Sequence, residues 1–296
     1  ILNFYEDFLS EYNPKFREEF GVYYTPIQIV QYIINSVDIL LCEEFHIEKG
    51  LADNSLIIDS NMHKVQILDP ATGTGTFLSE ICEKIYSSYK NNEGMWANDV
   101  VEHIVPRLNG FEYLMAPDTM AHLKLTTSLR LDKIEKKPER LNIFLTNSLE
   151  EGNPMPSLPF ASYITDEANA ANVIKNDSPV MVIVGNPPYR EKSANNGDWI
   201  MEMMHDYKQE PGKMKIVKRS RRGKITTKDT LQEANSKGIN NDYCKFIRLG
   251  QRFVEKNQEG VLAFITANTY LDTRLFRGMR YNLLTTFDKI YILNLH

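Results

Sequence analysis

The sequence contains few cysteines and no long apolar run, and both features exclude classes of protein. Its three cysteines, Cys42, Cys82 and Cys244, are scattered singly, and no CxxC or HxxxH spacing occurs. A disulfide framework and a zinc site are therefore not expected, and a reducing cytoplasm is the expected compartment. No apolar run approaches the roughly 18 residues that span a membrane, and the first residues lack the pattern of a signal peptide.

The sequence also lacks an overall positive charge. Its formal net charge is −5, which argues against a protein that coats nucleic acid uniformly but is compatible with a local basic patch. The 296 residues are 42% hydrophobic and 25% charged, as expected of a globular protein with one large or two small domains. Because the first residue is Ile and not Met, we expect a domain boundary at the N-terminus.

Residues 1–64 form the first predicted segment, which is predicted to be helical. Thr25 is the expected N-cap of a helix, and Pro26 is expected in its first turn. Apolar residues then recur at the spacing of a helix face. These positions are Ile29, Val30, Ile33, Ile34, Val37 and Leu41.

From Val65 onward the pattern changes to short apolar runs separated by amphipathic segments. Continuous apolar strands that alternate with helices indicate an α/β fold, with a mostly parallel sheet covered by helices on both faces. The predicted strands are Val65–Leu68, Leu108–Tyr113, Ile143–Leu145, Val180–Val184, Val261–Ile265 and Ile290–Leu295. Two polar stretches interrupt the rhythm, at 150–178 and 190–240.

The first strand runs into a loop rich in glycine, from Asp69 to Leu78. Glycines after a strand permit a tight turn and the close approach of a ligand. The loop is not a P-loop, because no Lys follows Gly75, and Leu78 occupies the third glycine position of a dinucleotide-binding loop. The alternative is a turn that only joins a strand to a helix.

Two further strand ends carry candidate functional residues. Glu112 ends the second apolar run, where a carboxylate can accept both hydroxyls of a ribose; an exposed charge at a strand end is the alternative.

Asn186-Pro187-Pro188-Tyr189 follows the fourth run. Two consecutive prolines hold an extended backbone without N–H donors, so the Asn186 side-chain oxygen and the Pro187 carbonyl can accept hydrogen bonds from one planar amino group. Tyr189 supplies an aromatic face, although a proline turn with an exposed tyrosine would have the same sequence.

These motifs, in this order, resemble the amino-methylating DNA methyltransferases of single-chain restriction-modification enzymes. The resemblance covers most of the chain from about residue 20 and implies a Rossmann-like class I methyltransferase that uses S-adenosylmethionine. It also implies that residues 1–64 carry an N-terminal cofactor motif and that 65–296 form the catalytic domain. The implied cofactor-binding residues are Tyr24, Thr25, Pro26, Asp69, Ala71, Gly73, Thr74, Gly75, Phe77, Glu112, Tyr113, Asn147, Ser148 and Leu149.

The same resemblance implies the chemistry of the site. Asn186, Pro187, Pro188 and Tyr189 match the catalytic motif, so the implied reaction is methylation of N6 of an adenine flipped out of DNA. The segments 241–248 and 266–271 resemble later motifs of the same enzymes.

The sequence departs from the family in two places. Asn147 stands where the family usually has Asp, and its amide oxygen can still accept a hydrogen bond from the adenine amine of the cofactor. A second base-stacking aromatic and the target-recognition domain are expected beyond the final strand, so both are expected to be absent from this chain.

A basic insertion at 190–240 follows the catalytic motif. Nine Lys or Arg and one Glu lie between Lys208 and Lys228. Concentrated positive charge beside a flipped base favours contacts with DNA phosphates, and we expect them from Lys218, Arg219, Arg221 and Arg222. A solvated surface is the alternative.

Other functions share parts of this pattern. A protein-glutamine or RNA amino methyltransferase also presents AsnProProTyr to a planar amine, and a non-catalytic cofactor-binding scaffold would keep the fold. The basic insertion and the N-terminal and later motifs favour double-stranded DNA as the partner, together with further domains of the same polypeptide and no membrane. Cytosine-N4 methylation is less favoured, since that group usually has Ser in place of Asn186.

Overall fold

The computed structural model describes residues 25–57, 60–90, 93–151, 162–189, 193–213, 216–219, 225–231 and 236–295. Tyr24, Arg221 and Arg222, which the sequence singles out, lie outside these ranges, and so do the side chains of Lys218 and Arg219.

Five parallel strands form the central sheet. They are β1 (Gln66–Asp69), β2 (Leu108–Glu112), β3 (Asn142–Leu145), β4 (Val180–Gly185) and β7 (Val261–Phe264). Their spatial order is β3-β2-β1-β4-β7, and each neighbouring pair is parallel. The order of the strands reverses between β1 and β4, which is where ligands bind in open α/β sheets. Five of the six predicted strands are confirmed to within one or two residues.

Helices cover both faces of this sheet, as the sequence predicts. One apolar core includes side chains from α1 (Ile27–Glu43), α2 (Thr76–Ser87), α3 (Glu93–Asp99) and α4 (Met115–Ser128). A second core, on the other face, includes side chains from α5 (Ser162–Asn176), α6 (Asp198–Met204) and α7 (Asp242–Asn257). All six residues of β4 are buried, because both faces of the strand are covered. The fold class is therefore the α/β class expected of a class I methyltransferase.

The N-terminal segment is less helical than its sequence pattern suggests. Val30, Ile34, Val37 and Leu41 form the buried face of α1, as predicted. Beyond that helix, residues 44–64 contain only a short 3₁₀ helix and an isolated bridge among those that the structure describes. The cause is local: the side chain of Asp53 accepts the backbone N–H of Ser55 and forms a turn that competes with a helix.

The predicted cap of α1 is also wrong. The helix begins at Ile27 with Pro26 as its N-cap, and no side chain caps it. Thr25 lies just outside the helix, and its hydroxyl accepts a hydrogen bond from the side chain of Asn186 at 3.0 Å. Its side chain is thus directed to another part of the molecule.

The basic insertion contains ordered elements where the sequence suggested a loop. β5 (Ile216–Arg219) and β6 (Ile225–Lys228) form an antiparallel pair, and the 3₁₀ helix His205–Lys208 follows α6. Tyr207 from that 3₁₀ helix is fully buried in a third apolar core, which also includes Met279 from α9 (Arg277–Thr286), the helix that follows α8 (Thr269–Asp272). The insertion is therefore packed against the rest of the fold at this point.

The last predicted strand, Ile290–Leu295, does not form. Residues 290–295 pair with no strand in the described part of the chain, and Tyr291 and Leu295 are 68% and 62% exposed. A strand needs a partner for its backbone hydrogen bonds, and an apolar pattern alone does not supply one. β7 is consequently the edge of the sheet among the described residues.

None of the described helices is both long enough and apolar enough to cross a membrane.

Candidate cofactor and catalytic site

A cleft of about 370 Å³ opens at the carboxyl ends of β1, β2, β3 and β4. Most of the residues that the sequence singles out meet there, although they are far apart along the chain. The predicted residues that line the cleft are Thr25, Asp69, Ala71, Gly73, Thr74, Phe77, Glu112, Tyr113, Asn147, Ser148, Asn186 and Pro188.

The glycine loop between β1 and α2 depends on two left-handed backbone positions. Gly73 has a φ of 56° and Gly75 a φ of 80°, conformations that residues with a side chain rarely adopt. A Cβ at Gly75 would lie 3.1 Å from Ala121 of α4, whereas a Cβ at Gly73 would meet nothing within 4 Å. Gly75 therefore permits helix packing, and Gly73 leaves open space on the cleft side of the loop.

Glu112 connects this loop to the end of β2. Its two carboxylate oxygens accept the backbone N–H groups of Gly73 and Leu114, each at 2.8 Å. Burial raises the pKa of Glu112, and the N–H groups of Leu114, Gly73 and Tyr113 oppose that rise. The carboxyl group is thus held in one orientation at the cleft.

Asp69 is the second acid of the cleft, at the end of β1. It is 1% exposed, and its side chain accepts the N–H of Ala71 at 3.0 Å. Burial and the neighbouring charge of Glu112 raise the pKa of Asp69 to about 8, although the Ala71 hydrogen bond lowers it. Two acids at adjacent strand ends, Asp69 buried and Glu112 partly buried, favour a ligand that carries positive charge or many donors.

The loop after β3 is anchored from two sides. Nζ of Lys175, on α5, donates to the carbonyl oxygens of Asn147 at 2.9 Å and Glu150 at 2.7 Å. The hydroxyl of Ser148 donates to the carbonyl of Pro70 at 2.5 Å, which joins this loop to the glycine loop. Sequence analysis did not identify Lys175, because it lies on a helix remote from every motif.

The tetrapeptide Asn186-Pro187-Pro188-Tyr189 follows β4. The amide nitrogen of Asn186 donates to Thr25, and its amide oxygen accepts the phenol hydrogen of Tyr189. Burial raises the pKa of Tyr189 to about 12, so the phenol keeps its proton at neutral pH. Asn186 is therefore fixed by a donor and an acceptor from opposite sides.

A wall of the cleft comes from residues that were not among the predicted site residues, although two of them lie in the segment 241–248 that resembles a later motif. Asp242 and Phe246, on α7, and Asn195, before α6, line the cleft. Nδ2 of Asn195 donates to Asp242 at 3.2 Å, and Oδ1 of Asn195 accepts from Asn147 at 2.8 Å. The available signals were the resemblance of the segment 241–248 to a later family motif and the spacing of Asp242 and Phe246, which places both on one helix face.

Lys245 anchors the segment that contributes Asn195 to this wall. The side chain is fully buried, and Nζ donates to the hydroxyl of Ser193 at 2.7 Å and to the backbone carbonyl of Asn195. Burial lowers the pKa of Lys245, the charge of Asp242 raises it, and the charge of Lys208 lowers it. The segment 193–196 is thereby attached to α7.

Five predicted residues do not line the cleft. Pro26 is the N-cap of α1, Gly75 is the N-cap of α2, Leu149 is buried in the second core, and Pro187 and Tyr189 are not among the lining residues. No group of His, Cys, Asp and Glu side chains in the described ranges is arranged to bind a metal ion.

Comparisons with known proteins give the family and the fold. A family model described as N-6 DNA Methylase matches residues 2–215. The search of curated proteins found no match. Among solved structures, the DrdV–DNA complex determined by cryo-EM matches with a TM-score of 0.64 and 27% identity, over 97% of this chain and 24% of the matched chain.

Two structures with lower sequence identity share the fold. The ATP-dependent Type ISP restriction-modification enzyme LlaBIII, bound to DNA, has a TM-score of 0.68 and 21% identity over 96% of this chain and 17% of its own. The Type IIL restriction-modification enzyme MmeI, in complex with DNA, has a TM-score of 0.53 and 15% identity over 94% of this chain and 35% of its own. The chain thus spans about a third or less of each of these structures.

Proposed function

Because this chain belongs to the N-6 DNA methylase family, we propose that it transfers a methyl group from S-adenosylmethionine to N6 of an adenine in DNA, as the modification part of a restriction-modification enzyme. The observation that carries the proposal is that one cleft contains both the Glu112 carboxyl group and the Asn186 amide. The first suits a nucleoside cofactor, and the second suits a planar amino group.

The residues of the cleft fit S-adenosylmethionine. A volume of about 370 Å³ is within the range of sites for small molecules. Glu112 would accept the ribose hydroxyls, and the open space at Gly73 would admit the methionine part. The acids Asp69 and Glu112 favour a ligand with a sulfonium and an ammonium group. When bound, the cofactor supplies a methyl group on a positively charged sulfur.

The target base would be activated by hydrogen bonds from its amino group. The lone pair of N6 in adenine is delocalised into the ring and is a weak nucleophile. Asn186 Oδ1 and the carbonyl of Pro187 would accept its two hydrogens and draw the nitrogen toward tetrahedral geometry. Fixed acceptors of this kind act without reorganisation during the reaction.

Tyr189 would contribute its ring to the flipped base. Extrusion of a base from the duplex costs a few kcal/mol, and stacking on an aromatic ring offsets part of that cost. Burial against the third apolar core holds the ring beside Asn186. No covalent enzyme intermediate is required, which is consistent with the absence of a cysteine from the tetrapeptide.

We further propose that double-stranded DNA and other domains of the same polypeptide are the partners of this chain. The matched enzymes are DNA-bound, and the chain spans only 24% and 17% of the DrdV and LlaBIII chains. We retain the division into 1–64 and a catalytic domain at 65–296, with recognition of the target sequence placed in a further domain. Phosphate contacts from Lys218, Arg219, Arg221 and Arg222 are part of the same proposal.

The family assignment favours DNA over the protein-glutamine and RNA substrates that also suit AsnProProTyr. Retention of Asn186, with its amide fixed in the cleft, favours an enzyme over a non-catalytic scaffold.

Two variants of the intact protein test the proposal. Glu112→Ala should lower the affinity for S-adenosylmethionine measured by calorimetry, because the ribose acceptor is removed. Asn186→Ala should abolish methyl transfer and leave that affinity nearly unchanged. DNA digested after a wild-type reaction should contain N6-methyladenine; methylcytosine, or methylated protein with unmodified DNA, would overturn the assignment.

A further inference from the structure

We propose that Asp242 binds the exocyclic amine of the cofactor's adenine ring and sets the preference of the site for adenine. The inference deepens the proposed function and rests on it, since it concerns the same cleft. It assigns a cofactor contact to Asp242, which lies in the segment 241–248 that resembles a later family motif but was not among the predicted site residues.

The amide of Asn147 is largely occupied within the protein. Its oxygen accepts the backbone N–H of Leu149 at 3.0 Å. Its nitrogen donates to the Glu150 carboxylate at 3.0 Å and to Asn195 at 2.8 Å, which uses both N–H groups. Asn147 is thus positioned to shape the loop after β3, and its oxygen keeps one free acceptor position. A ligand amine has two N–H groups, so a second acceptor is needed at this end of the cleft.

Asp242 is the carboxylate that lies at this end. It is 3% exposed and lines the cleft at the start of α7. One oxygen accepts Nδ2 of Asn195 at 3.2 Å, and no other side chain in the described ranges donates to the carboxylate. A carboxylate offers about four acceptor positions, and a buried one is stable only when they are used.

Lys245 is a buried cation near Asp242, but its hydrogen bonds go to other groups. Nζ of Lys245 donates to Ser193, to the backbone of Asn195 and to Asn196 at 3.4 Å. Its charge lies close enough to Asp242 for the two to interact electrostatically. Lys245 therefore balances the charge of Asp242 and leaves the acceptor positions of the carboxylate for a donor in the cleft.

Phe246 gives the site a flat surface beside the carboxylate. It lies four residues after Asp242 on the same face of α7, is 7% exposed and also lines the cleft. A purine ring placed against Phe246 would have an edge within one helical turn of Asp242. The arrangement matches a base with a hydrogen-bond donor on that edge.

An ionised carboxylate only accepts hydrogen bonds, and this makes the site selective. Adenine carries an amine at position 6, whereas hypoxanthine carries a keto oxygen, which would face the carboxylate as a second acceptor. A buried pair of acceptors is unfavourable, so the site should reject the keto base.

The test compares two ligands that differ at this position. Calorimetry on the intact wild-type protein should give tighter binding of S-adenosylhomocysteine than of S-inosylhomocysteine, by at least about tenfold. In Asp242→Asn the amide presents one neutral acceptor oxygen in place of two charged ones, and Asn195 and the ligand amine must share it. We expect adenosyl binding to weaken roughly 10- to 100-fold and inosyl binding to change much less, so the preference falls.

Asp198→Asn is the matched control. Asp198 is also the first residue of a helix, α6, but it is exposed and does not line the cleft. This variant should keep the preference of the wild type. Equal binding of the two ligands by the wild type, or an equal loss of both in Asp242→Asn, would overturn the assignment. Wild-type protein that binds neither ligand would instead refute the proposed cofactor, and the role of Asp242 with it.

Discussion

The phenol of Tyr189 donates its hydrogen to the side-chain oxygen of Asn186, the atom proposed to accept a hydrogen of the target amine. An amide oxygen has two lone pairs, but a base that enters the site must share this oxygen with the phenol or displace it. The ring and the hydroxyl of Tyr189 therefore have opposite effects on the proposed reaction.

Tyr189→Phe and Tyr189→Ala separate these effects. Tyr189→Phe keeps the ring and removes the competing hydroxyl, so single-turnover methylation of DNA should be as fast as in the wild type or faster. Tyr189→Ala also removes the stacking surface and should slow the same step roughly 10- to 100-fold. A reduction in Tyr189→Phe as large as that in Tyr189→Ala would show that the hydroxyl is required.

Thr25 is predicted to orient the catalytic amide. Its hydroxyl accepts Nδ2 of Asn186 at 3.0 Å, which leaves the amide oxygen on the side of Tyr189. Thr25→Val keeps the shape and removes the hydroxyl, and kcat at saturating cofactor should fall by up to about tenfold. Thr25→Ser keeps the hydroxyl and should restore most of the rate. If Thr25→Val changes only the affinity for the cofactor, Thr25 acts as a cofactor contact and does not orient Asn186.

Much of this fold was predictable because its strands are continuous apolar runs. The bounds of β1 to β4 agree with the sequence pattern within one or two residues, and the strand ends bring Asp69, Glu112 and Asn186 to one edge of the sheet. Ile290–Leu295 has the same composition and forms no strand, because strand formation also depends on a pairing partner that the pattern does not reveal.

The remaining parts of the site depend on contacts that are distant in sequence. Asp242 and Asn195 lie 47 residues apart and meet only because α7 packs beside β4. Thr25 and Asn186 are 161 residues apart. Such pairs leave no periodic signal in a single sequence, so the resemblance of 241–248 to a later motif did not reveal that Asp242 contacts Asn195.

Lys175 gives a prediction for the dependence of stability on pH. Burial lowers the pKa of Lys175 to about 8, although the charges of Glu150 and Glu151 raise it. Between about pH 8 and the ordinary lysine pKa of about 10.4, the unfolded chain binds more protons at this position than the folded chain does. This group alone should therefore increase the free energy of unfolding as pH rises through that window.

Urea denaturation at several pH values checks this contribution against Lys175→Met. The free energy of unfolding of the wild type, minus that of the variant, should increase from about pH 8 to about pH 10. The variant should also bind S-adenosylmethionine more weakly at all pH values, because the loop at Asn147 is no longer anchored. A difference that does not vary with pH would contradict the lowered pKa.

The last prediction concerns the basic insertion, whose strands β5 and β6 form an antiparallel pair after the catalytic motif. Lys218 and Arg219 belong to β5, and Arg221 and Arg222 follow it in the sequence. Contacts with phosphates release counterions, so each one steepens the fall of DNA affinity with salt and carries no base information. Neutralising all four residues to Gln in the intact protein should weaken binding to every DNA sequence alike. The salt slope should fall by about one for each phosphate that is no longer bound.

A control with the same charge change distinguishes phosphate binding from overall charge. Lys90, Lys133, Lys136 and Lys137 are exposed, and they precede β2 or β3, on the sheet edge opposite the cleft. Their replacement by Gln should leave affinity and salt slope close to the wild-type values, because interactions beyond about 10 Å are screened at moderate salt. Fluorescence anisotropy with a labelled duplex, repeated from low to moderate salt, measures both quantities. If the two quadruple variants behave alike, the insertion is a solvated surface, and the phosphates must be bound elsewhere in the enzyme.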